Sequence, residues 1–116
     1  MSTSATVLFC NIEPSTAQQL SALFHGVGCH TADHADSLNH VDLVLCEEGQ
    51  SLDDVLHRAR KERAHTPVIA VGRHASESRW IQAIEQGASD YLCADSEPIQ
   101  VRWLLKSVLR SNRRAA

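Results

Sequence analysis

Long apolar runs are missing from this sequence. None approaches the roughly 20 residues that a membrane span requires, so no membrane-crossing helix is expected. The opening residues, "MSTSATVLFC", lack a positively charged lead-in, and no signal peptide is read there. An excess of basic charge is also absent: the formal net charge of −3 argues against a general nucleic-acid or membrane binder. The basic residues that do cluster (Arg102, Lys106, Arg110, Arg113 and Arg114) fall in or after the last helical segment. The helix dipole favours positive charge there. There is no glycine-rich phosphate loop, since "HGVG" reads as a helix terminator. The four cysteines, Cys10, Cys29, Cys46 and Cys93, show no CxxC spacing. None of the seven histidines pairs with another at metal-binding spacing on one strong helix. A metal site and a cofactor are therefore not expected. Three of the cysteines lie inside apolar strand-like runs and read as small buried hydrophobes of a reducing cytosol, which makes the expected location cytoplasmic. A thiol nucleophile needs an electropositive niche, and the strand-end rim that Cys10, Cys46 and Cys93 precede is acidic.

What is present is an alternation. The 116 residues suffice for one domain with a real core, spanning 1–116. The apolar and charged fractions, 43% and 22%, are those of a soluble globule. "TVLFC" (6–10), "CHTA" (29–32), "VDLVLC" (41–46), "TPVIAVG" (66–72) and "SDYLCA" (89–94) read as strands. Helical spacing separates them. Ala17, Leu20, Leu23 and Phe24 make one stripe, with Pro14 in the first turn and Gly26 and Gly28 at the end. Leu52, Val55, Leu56 and Ala59 make another, starting at Gln50 or Ser51. A helix ending at Gly87 is expected to turn Ile81, Ile84 and Ala88 inward. In the last helix Val101, Leu104, Leu105 and Val108 form the buried stripe. Between the second and third strands, "DHADSLNH" leaves room for a shortened second helix of a turn or two.

Five strands and five helices in strict alternation predict a parallel sheet with right-handed crossovers and helices on both faces. Continuous apolar strands support the same α/β class, because strands covered on both faces need no polar side. The last residues, 111–116, are expected to be a frayed tail or the join to a following domain. In the common five-stranded order 2-1-3-4-5, ligands bind where the order reverses, outside the carboxyl ends of strands 1 and 3. Asn11, Ile12, Glu13, Glu47 and Glu48 should line that crevice, with Gly72 and Ala94 completing the rim.

"VLFCNIEP", "VDLVLCEE", "TPVIAVG" and "GASDYLCADSEP" resemble the strand-end segments of bacterial response-regulator receiver domains. The resemblance covers nearly the whole chain and is closest over residues 66–110. It implies a flavodoxin-like fold and a role in two-component signal transduction and phosphorelay. Receivers hold Mg²⁺ with an acidic pair after strand 1 and phosphorylate an aspartate at the end of strand 3. A Thr or Ser after strand 4 and a Lys after strand 5 contact the phosphoryl group. Carried onto this chain, the acidic pair falls on Asn11 and Ile12, with Glu13 beside them. The phosphoacceptor falls on Glu47, the hydroxyl on Gly72, the lysine on Ala94 and the switch aromatic on Tyr91. Every chemical position departs from the pattern. Mg²⁺ takes oxygen ligands in near-octahedral geometry, and Ile12 has none. Phosphoryl transfer needs its equatorial charge neutralised, and positions 72 and 94 carry neither hydroxyl nor amine.

The expected function is therefore that of a degenerate, phosphorylation-independent receiver, not an enzyme, which acts by protein contact. The expected partner is another protein, a fused output domain or a second copy of the chain, through the face of the fourth helix, fifth strand and fifth helix. Trp80, Ile99, Trp103 and Lys106 are its candidate contact residues, against the plainer reading that each tryptophan caps the edge of the core. Other readings stay open. The crevice acids bind a small ligand or divalent cation, or Glu47 is an atypical phosphoacceptor. Glu47 is otherwise a fixed charge imitating a phosphorylated aspartate, or a solvated strand-end acid. With glycine at 72, Tyr91 is expected to rest in one rotamer, its hydroxyl bonded if buried.

Overall fold

The computed structural model describes residues 5–74 and 76–115, with side chains as far as 109. The elements are β1 (Thr6–Cys10), α1 (Pro14–Gly26), β2 (His30–Ala32), a 3₁₀ turn (Leu38–His40), β3 (Leu43–Glu47), α2 (Gln50–Glu62), β4 (Val68–Gly72), α3 (Glu77–Gln86), β5 (Asp90–Cys93) and α4 (Pro98–Ala115). All neighbouring strands are parallel, in the order β2-β1-β3-β4-β5. This is the flavodoxin-like order expected from the alternation. The segment 111–116, expected as a tail or a join, lies outside the described side chains.

Each strand supplies both faces. On one face Val7, Leu43, Leu45, Ile69 and Leu92 pack with Leu20 and Phe24 of α1 and Val101, Leu104 and Val108 of α4. On the other, Leu8, Val44, Cys46, Val68 and Ala70 pack with Leu52, Val55, Leu56 and Ala59 of α2 and Ala83 of α3. This two-sided burial is why the strand sequences run apolar without alternation. Phe24, fully buried, meets Phe9 edge to face with ring centres 6.2 Å apart. β3 starts two residues later than its apolar run. Asp42 instead turns its carboxylate to accept the Thr6 N–H at 2.8 Å.

Two sequence expectations change. The shortened second helix is a single 3₁₀ turn, so four α-helices stand where five were expected. Ten residues between β2 and β3 (33–42) are too few for a packed helix with its connections, and the segment is instead tied down by α2. Glu62 accepts the Leu38 N–H at 2.7 Å and the Ser37 hydroxyl at 3.3 Å, and pairs with Arg58 at 2.6 Å. Arg58 donates in turn to the Ala35 carbonyl at 2.7 Å. Leu38, with no exposed surface, plugs the sheet.

The second correction concerns α3. Ile81 and Ile84 were expected inward but are 42% and 38% exposed, and Ala83 is the buried residue of the helix. Polar anchors set the helix rotation. Arg79 reaches Glu48 at 3.0 Å and Gln86 reaches Asp53 at 2.8 Å, so the 79–83–86 edge faces the domain. That spacing is as helical as 81–84–88, and local periodicity does not choose between them.

The Arg58 bond, followed by the Leu38 N–H, holds the Glu62 carboxyl below its usual pKa. A depressed carboxyl stabilises the fold above its unfolded pKa and loses that contribution as pH falls through its folded pKa. Urea melts of wild type and Glu62→Gln between about pH 6 and pH 3 check this. The variant is less stable at the upper end, and the difference closes toward the lower end.

Candidate functional site: the strand-end crevice and the α3–β5–α4 face

The order of the sheet reverses between β1 and β3, and the crevice opens there. Asn11 ends β1 with a left-handed backbone, φ 52°, which asparagine tolerates better than most residues. Its side chain is exposed, and Ile12 leans into the α1–α4 core. Glu13 caps α1. Its carboxylate accepts the Ser15 hydroxyl, the Ser15 N–H at 3.3 Å and the Thr16 hydroxyl at 3.2 Å, and pairs with Arg73 at 3.2 Å. The Ser15 hydroxyl and then its N–H hold the Glu13 carboxyl below its usual pKa. Glu47 accepts the backbone N–H of Glu13 at 2.6 Å, which ties the end of β3 to the start of α1.

The remaining rim is occupied from within. Tyr91 points its ring inward over Gly72, and its hydroxyl donates to Glu48 at 3.1 Å. A Cβ at position 72 would lie 1.6 Å from that hydroxyl oxygen, so glycine is required where the ring lies. Burial, then the bond to Glu48, pushes the phenol pKa up to about 12. Arg79 pairs with the same Glu48 oxygen. Ala94 is buried and donates its N–H to the Gly72 carbonyl at 2.8 Å. The cavity that remains measures about 300 Å³ and is bordered by Glu47, Glu48, Gly72, Arg73, His74 and Arg79.

Sequence reasoning brought Glu13, Glu47, Glu48 and Gly72 to one rim, where they are found. It missed Arg73 and Arg79, which pair with two of the three acids. Arg73 directly follows a named rim position, which was a usable signal. Nothing local joins Arg79 to a glutamate 31 residues away. The donor set does not fit a magnesium ion of the kind receivers hold. Positions 11 and 12 offer no carboxylate, Glu13 and Glu48 are engaged, and Glu47 alone has no cationic partner among the described residues. Nor does any group of three His, Cys, Asp or Glu converge for a metal among the described residues.

Tyr91 also borders a second concavity. Between α3 and α4, floored by β5, lies a groove of about 640 Å³ edged by Trp80 and Trp103. Trp103 is 69% exposed, Ile99 one turn earlier is 55% exposed and Trp80 is 45% exposed. Lys106 is exposed beside them, while Val101 and Leu104 on the opposite stripe are buried. The Trp80 indole N–H reaches Asp90 at 3.4 Å. Neither tryptophan is among the described side chains packed against the two core clusters.

No protein-family model and no curated protein sequence matches the chain. Solved structures do. A putative response regulator from Chloroflexus aurantiacus matches with a TM-score of 0.73 at 22% identity, over 93% of this chain and 99% of the other. Full-length FixJ from B. japonicum matches with a TM-score of 0.75 at 18% identity, over 98% of this chain and 62% of FixJ. The receiver domain of a Pseudomonas aeruginosa sensor histidine kinase, solved with magnesium in its active-site cleft, matches at 0.71 and 13% identity, over 93% and 99% of the two chains. Strand order, helix placement and these likenesses together give the chain the fold of the receiver domains of bacterial response regulators.

Proposed function

We propose that the chain is a pseudo-receiver: a signalling module that works by protein contact through the α3–β5–α4 face, without phosphorylation or catalysis. The observation that carries this reading is the occupant of the crevice. The Tyr91 hydroxyl lies where a receiver's phosphate-contacting hydroxyl would need room, and Glu48 and Arg79 hold it there. Beside Glu47, positions 72 and 94 supply neither hydroxyl nor amine to a transferred phosphoryl group, and the crevice arginines, Arg73 and Arg79, are paired with Glu13 and Glu48. In the same domain, large apolar side chains stand exposed on one face, with two tryptophans flanking a groove. Tryptophan is enriched among the energetic anchors of protein interfaces. The partner is a second copy, a separate protein or an output domain joined to the receiver fold.

Two measurements test the two halves. Incubation with acetyl phosphate and Mg²⁺, followed by intact mass, leaves the chain unmodified. A phosphoryl adduct on Glu47 overturns the phosphorylation-independent reading. Sedimentation of the chain alone, and with the partner once identified by crosslinking, reads the contact. Trp103→Ala or Trp80→Ala weakens association by 2 kcal/mol or more, roughly 30-fold, as interface anchors do. Association unchanged in both variants removes this face from the proposal.

A further inference from the structure

Two thiols that the proposed function does not use stand side by side under the crevice. Cys10 of β1 and Cys46 of β3 are register partners. Both pack on the same face of the sheet, toward α2 and α3. Adjacent strands run roughly 4.8 Å apart, inside the range of about 4.4–6.8 Å that disulfide Cα pairs span. Their accessibility differs. Cys46 is fully buried and Cys10 is half-buried. The cause is the missing helix: among the described residues, the segment after β2 covers this face with Ala35, Leu38 and Val41.

We propose that Cys10 and Cys46 form a dithiol modification site, oxidised by a peroxide to a disulfide across β1 and β3. The half-buried Cys10 reacts first. Its thiolate attacks one peroxide oxygen, the O–O bond breaks, and hydroxide leaves to take up a proton. Cys10 is then a sulfenic acid. The sulfur of Cys46 attacks the Cys10 sulfur, the S–O bond breaks, and water departs with the Cys46 proton. The two thiols lose two protons and two electrons, and the peroxide becomes two waters. Burial disfavours the thiolate at both positions, and the order rests on the greater accessibility of Cys10. Burial raises both thiol pKa values, that of Cys46 to about 12, whereas the Arg58 guanidinium opposes the rise at Cys10. Register partners on parallel strands point alongside one another rather than toward one another. The bond therefore turns both side chains toward each other across the strand gap, and thiol exchange with a dithiol reverses it. It also tightens the place where the Glu13 N–H meets Glu47.

The test treats the wild-type chain with hydrogen peroxide, alkylates it unfolded and cleaves it before aspartate, which separates Cys10 from Cys46 at Asp42. The expected result is the loss of two of the four free thiols, with a linked pair of peptides, 1–32 and 42–52, that dithiothreitol releases. The link persists in Cys29→Ser, which removes the other cysteine of the first peptide, and disappears in Cys10→Ser. Sulfinic acid at Cys10 with Cys46 still free, a link from Cys10 to Cys29, or a covalent dimer through Cys10 overturns the proposal.

Discussion

Replacing Gly72 by alanine expels the Tyr91 ring from the crevice. The backbone at 72 sits in an ordinary strand conformation, so the substitution brings no torsional penalty, only a collision. The new methyl would lie 1.6 Å from the Tyr91 hydroxyl oxygen, 2.5 Å from the ring carbon bearing it and 2.6 Å from a Glu48 oxygen. Overpacking of this kind costs about 1–3 kcal/mol, and the ring has solvent to move into. Two readouts follow. The phenol pKa falls from about 12 toward its ordinary 10.0, seen in an alkaline ultraviolet titration. In a Tyr91→Ala background the cost of Gly72→Ala shrinks to a few tenths of a kcal/mol, so the double-mutant cycle is strongly non-additive. An unchanged titration with additive stabilities would show that the ring never occupied that space. The wild-type raised phenol has its own pH signature. A folded pKa above the unfolded one contributes stability below about pH 10 that is lost as pH rises toward about 12. Tyr91→Phe abolishes that alkaline loss.

Phe24→Ala costs about 3–5 kcal/mol, because a fully buried aromatic leaves both its transfer energy and a cavity behind. For a domain of this size, that lowers the melting temperature by about 10–20 °C. Phe24 is the largest of the fully buried side chains and joins α1 to the sheet, where Phe9 loses its edge-to-face partner. A bulky aromatic elsewhere behaves in the opposite way. Trp103→Ala changes stability by no more than about 0.5 kcal/mol, as an exposed substitution does, while weakening association. Calorimetry on the two variants checks both. A large destabilisation by Trp103→Ala would mean that the ring packs on the domain rather than waiting for a partner.

The crevice and the groove meet at Tyr91, and this gives the fold a physical route between them. Its hydroxyl is held by Glu48 on the crevice side, and its ring lines the groove on the other. In a receiver that accepts phosphate, the crevice chemistry would set the position of this ring. Here Gly72 leaves the space for the ring and Glu48 accepts its hydroxyl.

Several features were legible in the order of the residues alone. Strand runs such as "VDLVLC" and "TPVIAVG" are apolar on both faces because both faces are covered, and the helices between them follow a 3.6-residue period. Those local patterns dictate a parallel α/β sheet, and the sheet dictates which residues stand at its carboxyl edge: Asn11, Glu13, Glu47, Gly72 and Ala94. That positions 11, 12, 72 and 94 carry no carboxylate, hydroxyl or amine is read directly from the sequence. Tertiary packing decided the rest. The rotation of α3 put Ala83 inward and left Ile81 and Ile84 exposed, because Glu48 and Asp53 bind one edge of the helix and period alone allows either. The Arg73–Glu13 pair and the Tyr91–Glu48 bond join residues 60 and 43 positions apart. Contacts at such separations depend on where rigid elements come to rest against one another, and no spacing in the chain encodes them.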